Sequence, residues 1–502
     1  MKKTNFFAIA AAVLILGLAG CTKEGGVPQP KIDATKGGLS LTIKIPNAVK
    51  ASDTRATQDA SIAENTINTV TVFIFDDTGV AAATGGATTL PISSFDQNTS
   101  GVWELKVGSY IPTTAGPKRV YVGINLPATA QGPFASQAGL FAKIADLIDI
   151  DNSSAIGFSM FSTAVAPVNL GPLDPANVAG TAGVVNVNVE RIVAKVVTTQ
   201  SASGNDLVAD WGNGVTITYN IKDFLVFNDG ITSYVAPNKP AGGYPVTTQN
   251  RNNFATSVGK AAKVIASTAP NTQIYKAGLD GFYVAENAPG LGAALSTFGA
   301  VTYVYVATFV TVSHAAEVNA AGQIIYTGVS GGYGKGSGAA GNDVYMIVDK
   351  ATGENYVTND PTKADDVALR LNEINGTDVL PVGDPARSKI YTYKWGYVHF
   401  PVYVHSDYAA GVAGASKHDY KVLRNDYVHV DITGILMDKG FFPGYPGNPT
   451  DPTKPIDPTD PTDPNNPRPK DPDDPVDPED AGLLVNVTVN PWEYRYTGVV
   501  LK

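Results

Sequence analysis

The chain of 502 residues has a single cysteine, few charged residues and only one long apolar run, close to its start. One cysteine cannot form a disulfide within the chain, so stability must come from burial of the core. The apolar run, Phe6 to Leu18, is too short to span a bilayer and follows Lys2 and Lys3, which is typical of a signal peptide.

Basic residues are also scarce, at 36 against 46 acidic ones, and the net charge is −10. Much of this acidity lies between Asp451 and Asp480, where ten acidic residues stand against three basic ones. Because no basic face is available to neutralise phosphates, we expect no nucleic-acid partner.

The sequence lacks a convincing catalytic or metal-binding motif. Gly328–Gly332 spells the nucleophile elbow of hydrolases and Gly336–Gly341 spells a dinucleotide fingerprint, but neither leads into a helix. His399 and His405 are six residues apart in a strand-like stretch, without an evident third ligand. We therefore predict a protein that is not an enzyme and that has no cofactor and no metal site.

What the chain does contain is Gly, Thr, Val, Ala and Tyr in short alternating runs, which predicts an all-β fold. We expect two Greek-key β-sandwich domains with a few short helices. Helical spacing of apolar residues predicts one helix over Leu140–Ile148 and another over Ala364–Ile374. The predicted segments are a signal peptide (1–20), a linker (21–38), an N-terminal domain (39–199), a C-terminal domain (200–442), a Pro/Asp-rich tether (443–480) and a C-terminal strand segment (481–502).

Two alternating segments lie near opposite ends of the chain. The first predicted strand has its apolar residues at Leu39, Leu41, Ile43 and Ile45, and residues 39–55 also include a polar loop with Lys50 and Arg55. The C-terminal segment alternates twice, on either side of Pro491. Its apolar and aromatic positions are Leu483, Val485, Val487, Val489, Trp492, Tyr494, Tyr496, Val499 and Leu501. A strand with an apolar face needs a sheet to join.

The Pro/Asp-rich tether precedes this last strand. Repeats such as Asp457-Pro458-Thr459 followed by Asp460-Pro461-Thr462 favour polyproline II. At about 3.1 Å per residue, roughly 35 such residues would span up to about 100 Å. A plain spacer is the simpler interpretation, but the apolar strand after the tether argues against it.

The stretch Leu18-Ala19-Gly20-Cys21 resembles a bacterial lipobox. The resemblance implies cleavage before Cys21 and acylation of that residue, including its thiol. The alternative is an ordinary signal peptide with a chance cysteine.

Several stretches together resemble the Bacteroidales fimbrillin family, the FimA-type subunits of type V pili. Besides Cys21 and the strand Leu39–Ile45, these stretches are Glu190–Lys195, Tyr391–Tyr397, Val422–Ile432 and Val487–Trp492. Their order is most similar to that of the shaft subunits of minor fimbriae.

The resemblance implies a function and a route of assembly. A lipidated precursor would reach the outer membrane, where a trypsin-like or Arg-specific protease would cut between Arg55 and Ala56; Lys50 and Lys44 are rival sites. Loss of Leu39–Ile45 would open a groove for the C-terminal strand of an identical subunit. Further implied partners are anchor and tip pilins and host or bacterial surface receptors, with membrane contact only through the transient lipid anchor.

Other functions stay open at the level of sequence. The chain can be a surface lipoprotein that does not polymerise and binds a receptor or glycan, with Tyr391, Tyr393, Trp395 and Tyr397 as a binding face. These residues at strand spacing are more often core. An anchor or tip subunit of the same pilus is the remaining alternative.

Overall fold

The computed structural model consists mainly of β-strands. It describes residues 33–44, 66–82, 86–98, 102–146, 157–164, 166–174, 176–200, 206–230, 232–237, 263–264, 266–267, 281–288, 297–373, 387–404, 406–407, 418–435, 444–458, 460, 462–467, 470–471 and 483–491. The predicted all-β class is confirmed, while the Greek-key connections and the domain boundaries stay predictions. None of the helices within these ranges is both long enough and apolar enough to span a membrane.

The first eleven strands come from the N-terminal part of the chain. They are β1 (Lys36–Lys44), β2 (Thr69–Asp76), β3 (Ala87–Pro91), β4 (Phe95–Gln97), β5 (Trp103–Leu105), β6 (Ile111–Thr114), β7 (Gly116–Ile124), β8 (Ile144–Asp146), β9 (Met160–Ser162), β10 (Ala166–Leu170) and β11 (Gly183–Arg191). Ten of them form one sheet in the order β3-β2-β7-β9-β11-β1-β5-β4, with β10 on β7 and β6 on β1. Two short helices, α1 (Gln137–Phe141) and α2 (Val178–Thr181), lie in the connections.

Both faces of this sheet are buried, as the alternation in β2 illustrates. Val70 and Val72 face a core shared with β1 and β11, whereas Phe73 and Phe75 face a second core. The second core also contains Val197 and Tyr427 from later strands. Because successive side chains of a strand point to opposite faces, an almost continuous apolar strand is buried on both sides.

The remaining strands form the rest of the molecule. They are β12 (Ala194–Gln200), β13 (Asp206–Gly212), β14 (Val215–Phe227), β15 (Thr232–Tyr234), β16 (Lys263–Val264), β17 (Ala266–Ser267), β18 (Phe282–Val284), β19 (Tyr303–Val318), β20 (Ile324–Gly334), β21 (Val344–Asp349), β22 (Asn355–Thr358), β23 (Ser388–Tyr393), β24 (Tyr397–Tyr403), β25 (Ser406–Asp407), β26 (His418–Asp419), β27 (Asp426–Ile435), β28 (Tyr445–Pro446) and β29 (Leu483–Pro491).

Two of the later sheets enclose a common core. A five-stranded sheet runs β17-β12-β27-β29, with β18 on β12, and a seven-stranded sheet runs β13-β14-β19-β24-β28, with β16 and β20 attached. Val196 and Val430 of the first sheet share a cluster with Tyr219 and Val306 of the second. The helix α3 (Pro361–Glu373), close to its predicted position, packs beside the small sheet β22-β21-β23.

The helix predicted over residues 140–148 is wrong. Only α1 is helical, and Ile144–Asp146 forms β8, which pairs with β15. This pairing joins residues about 90 positions apart in the sequence, so the local apolar spacing could not reveal it.

Candidate assembly site

The first strand, β1, lies inside the ten-stranded sheet rather than at its edge. It pairs in parallel with β11, from Leu39↔Gly183 to Lys44↔Asn188, and in antiparallel fashion with β5 and β6 on its other side. The side chains of Leu39, Leu41 and Ile43 are 0% exposed. Removal of β1 would therefore uncover backbone hydrogen-bonding groups on both sides of a gap and an apolar floor beneath it.

The floor of that gap belongs to the core that β1 helps to fill. The same cluster contains Val185 and Val187 of β11 and Ile111 of β6, with Trp103 of β5 packed against it. The gap is thus lined by apolar side chains of β5, β6 and β11, which are separate strands of the same chain.

The proposed cleavage position lies in the connection between β1 and β2. Described residues end at Lys44 and resume at Thr66; Ile45, Arg55 and Ala56 fall between them, outside the described part of the chain, as does Cys21. The Asn125 amide donates to the Thr66 carbonyl at 2.7 Å and accepts from the Asn68 N–H at 2.8 Å. A cut between residues 44 and 66 would therefore separate β1 covalently from a chain end that is held in place at β2.

The C-terminal strand, β29, occupies a sheet edge. It pairs with β27 in antiparallel fashion from Leu483↔Ile435 to Pro491↔Asp426, and among the described strands it pairs with β27 alone. Leu483, Val485, Val487 and Val489 are thus placed in a strand, whereas Trp492, Tyr494, Tyr496, Val499 and Leu501 lie outside the described residues. An edge strand can leave its sheet by breaking one ladder of hydrogen bonds, while a central strand must break two.

The structure gives β1 and β29 the same length but does not bring them together. Each spans nine residues, and each alternates apolar and polar positions. The first is paired on both sides within the ten-stranded sheet, and the second is an edge strand of the five-stranded sheet. Within one chain, they are therefore separate strands of similar pattern.

Two stretches that carry the family resemblance meet at the junction between the sheets. Arg191, at the end of β11, donates through its backbone N–H and its guanidinium to the Asn425 side chain, each at 3.3 Å. Arg424 donates to the Glu286 carboxylate from Nε at 3.2 Å and from Nη2 at 3.1 Å, and also to the carbonyls of Tyr234 and Val235. Glu190–Lys195 and Val422–Ile432 thus tie the ten-stranded sheet to the five-stranded one.

Loss of the Arg424 side chain is expected to destabilise this junction strongly. Arg424→Ala would leave the buried Glu286 carboxylate without its cationic partner, and breaking such a pair typically costs about 3–5 kcal/mol. Urea unfolding of the purified precursor measures the change in the free energy of unfolding. Lys363→Ala removes a partly exposed ion pair with Glu317 and serves as the matched control, with an expected loss below about 1 kcal/mol.

The expectation of an extended tether is wrong for the described residues between 444 and 471, here called the tail segment (444–458, 460, 462–467 and 470–471). Tyr445 and Ile456 are 2% exposed and belong to the core shared by the two later sheets. The Pro452 carbonyl accepts a hydrogen bond from His399 Nε2 at 3.0 Å, and Lys394 Nζ donates to the Pro449 carbonyl. This part of the Pro/Asp-rich sequence is therefore folded against the β24 side of the domain.

Repeated turns explain how the tail segment folds. In the units starting at Asn448, Asp451 and Asp460, the side-chain oxygen accepts a hydrogen bond from the hydroxyl of the threonine two residues later, at 2.6–2.7 Å. The buried Asn466 amide donates to the carbonyls of Asp457, Pro458 and Asp460. The Asx-Pro-Thr repeat was the signal in the sequence, because these side chains close turns on their own backbone.

The folded tail segment shortens the reach of the C-terminal strand. Eleven residues separate Asp471 from Leu483. At roughly 3.3–3.6 Å per residue, they and the bonds that flank them span at most about 40 Å, well short of about 100 Å.

His399 makes the tail segment sensitive to acid. Burial is the main cause that lowers the pKa of His399 from 6.5 to about 4. Between these pH values the unfolded chain binds a proton that the folded chain does not, so stability falls as the pH drops from about 6.5 to about 4. We expect this to cost up to about 3 kcal/mol, and the pH dependence of chemical unfolding should lose that component in His399→Gln. An identical pH profile for the two proteins would contradict this assignment.

The aromatic face considered for glycan binding is mostly core. Tyr391, Tyr393 and Tyr397 are buried, and Trp395 is half-buried in a turn with a φ of 54°. His399 lies in the buried strand β24 together with Tyr397, while His405 is outside the described residues. Within the described part of the chain, no three His, Cys, Asp or Glu side chains form a group suited to a metal ion.

Similarity to solved structures extends along most of the chain at low identity. A candidate cell adhesion protein from Parabacteroides distasonis is 14% identical, with 92% of this chain and 100% of that chain covered and a TM-score of 0.43. A fimbrilin (FimA) from Porphyromonas gingivalis is 14% identical, with 92% and 98% covered and a TM-score of 0.39. A C-terminally truncated tip fimbrial protein from Porphyromonas gingivalis is 12% identical, with 80% and 96% covered and a TM-score of 0.35. No curated protein sequence matches.

A protein-family model gives the more specific result. The model described as major fimbrial subunit protein (FimA) matches residues 39–201. The match begins at Leu39, the start of the first predicted strand, and includes most of β1 and all of β11 and β12. The match confirms the resemblance to the FimA-type fimbrillin family over residues 39–201.

Proposed function

We propose that the chain is a structural shaft subunit of a surface fimbria that supports adhesion and biofilm formation. Its precursor is exported as a lipoprotein acylated at Cys21 and is attached to the outer membrane by that lipid. A protease cuts near Arg55, and identical subunits then join by insertion of the C-terminal strand. The observation that carries the proposal is β1, a central strand whose apolar side chains are fully buried and which precedes the connection containing Arg55.

The central position of β1 also explains why the precursor would not polymerise before it is cut. As long as β1 fills its own gap, no second strand can enter. After a cut, β1 is still held by hydrogen bonds to β11 on one side and to β5 and β6 on the other. Displacement by an incoming strand can replace these bonds one at a time, which avoids exposing the whole gap to water.

Burial of the apolar side chains of the incoming strand contributes a favourable but moderate free energy of association. Three or four Val or Leu side chains at roughly 1.5–3 kcal/mol each give a gross gain of about 5–10 kcal/mol before ordering costs. The contact is head-to-tail, because the C-terminal strand and the β1 gap are different surfaces. Such contacts do not close on themselves, so a filament grows. Anchor and tip pilins would end the filament, and host or bacterial surface receptors would meet it.

The N-terminus of the surface protein tests processing directly. Edman sequencing of surface-extracted subunits is expected to give a start at Ala56. Treatment of the precursor with an Arg-specific protease should give the same start, with Lys50 and Lys44 as sites to compare. A surface form that begins at acylated Cys21, without an Ala56 start, would refute the processing model.

A second candidate function is that of a non-polymerising surface lipoprotein, or of an anchor or tip subunit. The pairing of β29 with β27 of its own chain favours this second function, because the backbone of the C-terminal strand can form its hydrogen bonds without another subunit. An unheated gel of the surface fraction separates the two. A ladder of denaturation-resistant multimers supports the shaft subunit, and a single lipidated monomer band supports the alternative.

A further inference from the structure

An open cleft lies in the later part of the chain. Its walls are the end of β13 with its turn (residues 211–213), the start of β20 (324–326) and the turn between β21 and β22 with its flanking residues (352–356). Its volume is about 880 Å³, which lies within the roughly 300–1,000 Å³ common for small-ligand sites. The cleft shares no residue with the proposed polymerisation surfaces.

Two tyrosines form the aromatic wall of the cleft. The rings of Tyr326 and Tyr356 are half-buried and nearly parallel, at 18°, with their centroids 6.4 Å apart. The Tyr326 hydroxyl donates a hydrogen bond to the Asn355 carbonyl at 3.5 Å. Burial raises the pKa of Tyr326 to about 12, so this hydroxyl remains protonated at neutral pH.

Polar groups surround these rings. The Glu354 carboxylate is exposed and accepts a hydrogen bond from the Tyr356 hydroxyl at 2.8 Å. Asn213 is exposed in a turn with a φ of 53°, between Gly212 and Gly214, and neither glycine has a neighbouring atom within 4 Å of the position of a Cβ. The rim is therefore open. Among the described residues that line the cleft, Glu354 carries the only formal charge.

We propose that this cleft binds carbohydrate, specifically a neutral or amino pyranose unit of a glycan. The C–H face of a pyranose packs on an aromatic ring face, and Tyr326 and Tyr356 are half-buried residues that line the cleft. Carboxylate and amide groups at the edge, here Glu354 and Asn213, accept and donate hydrogen bonds to neighbouring sugar hydroxyls. A sialylated or sulfated sugar is disfavoured, because the charge at the rim is negative.

Titration of the purified full-length precursor with sugars tests the proposal. The probes are oligosaccharides of mannose, of galactose and of N-acetylglucosamine, with sialyllactose as the acidic comparison. Saturation-transfer NMR detects weak binding, and calorimetry gives the affinity. Tyr356→Ala removes one ring, and Glu354→Gln removes the charge with little change in shape. Tyr345→Ala is the matched control, because Tyr345 packs against the same hydrophobic cluster as Tyr356 but does not line the cleft.

We expect at least one neutral oligosaccharide to bind, with an affinity about tenfold lower in Tyr356→Ala and unchanged in Tyr345→Ala. Glu354→Gln should weaken binding about threefold while unfolding at the same temperature as the unmodified protein. The proposal is overturned if no neutral sugar binds, if Tyr356→Ala binds as well as the control, or if sialyllactose binds more tightly. The monomer is tested throughout, so these outcomes do not depend on polymerisation.

Discussion

Deletion of residues 483–502 is expected to leave a folded, secreted monomer that forms no filaments. The deletion removes the strand that would enter the neighbouring subunit, while β27 keeps its parallel pairing with β12. The core of the two later sheets draws on Val428, Val430 and Ile432 of β27. Far-UV circular dichroism and unfolding curves would establish that the fold is intact, and negative-stain electron microscopy of the cell surface would count filaments.

Substitutions on the two faces of β29 provide a finer control than the deletion. Val485→Ser, Val487→Ser and Val489→Ser together should abolish filaments, because the apolar face supplies the burial term. Asn486→Ser, Thr488→Ser and Asn490→Ser change the opposite face and should leave filaments in place. Filaments of normal length from the deletion, or equal effects of the two triple variants, would contradict insertion of this strand.

Arg55→Gln is expected to hold the protein as an unprocessed precursor that does not polymerise. The connection between Lys44 and Thr66 would stay covalently intact, so β1 would return to its own gap after every local opening. An intramolecular strand is favoured over an incoming one by its effective concentration, which reaches the millimolar range for short linkers. Mass spectrometry of the surface fraction gives the processing state, and an unheated gel gives the polymer yield.

The matched rescue replaces residues 53–57 with the recognition sequence of an unrelated protease. Polymerisation should then return only when that protease is added, which separates the cut from other roles of Arg55. Polymerisation of Arg55→Gln with a new start beside Lys50 or Lys44 would exclude Arg55 as the site. Polymerisation with no cut at all would exclude processing as the trigger.

The strands of the candidate site were predictable because their pattern is local. Alternation at Leu39, Leu41 and Ile43 predicted a half-buried strand, and the structure places these side chains in the core. The strand character of residues 483–491 followed from the same period of two. The central position of β1 and the edge position of β29 could not be predicted, because both depend on pairing with distant strands.

Long-range strand pairing also explains why the contacts at the junction between the sheets could not be predicted from the sequence. The strand β12 was expected to close the first domain, yet it pairs with β27, more than 220 residues later. The hydrogen bonds of Arg191 to Asn425 depend on that pairing. No local pattern near Arg191 identifies its partner, because the neighbouring sequence does not show whether this arginine is exposed or buried.

For the tail segment, the local sequence did contain a signal for folding. The prediction instead followed the overall Pro/Asp composition. Proline and aspartate are depleted in packed cores and favour extended chains, so the tether was expected to be unfolded. Three Asx-Pro-Thr units, which start at Asn448, Asp451 and Asp460, instead close turns, and Ile456 between them lies in the core. The apolar Ile456 within the acidic run, and Tyr445 just before that run, were the local signals that the average composition concealed.

The structure of an assembled filament by electron cryomicroscopy tests the central claim most directly. Our account predicts that residues 483–491 of one subunit lie between β11 and β5 of the next, in the place that Leu39, Leu41 and Ile43 occupy in the precursor. Residues before Ala56 should be missing. A filament in which residues 483–491 still pair with β27 of their own chain, and β1 still fills its gap, would contradict the account.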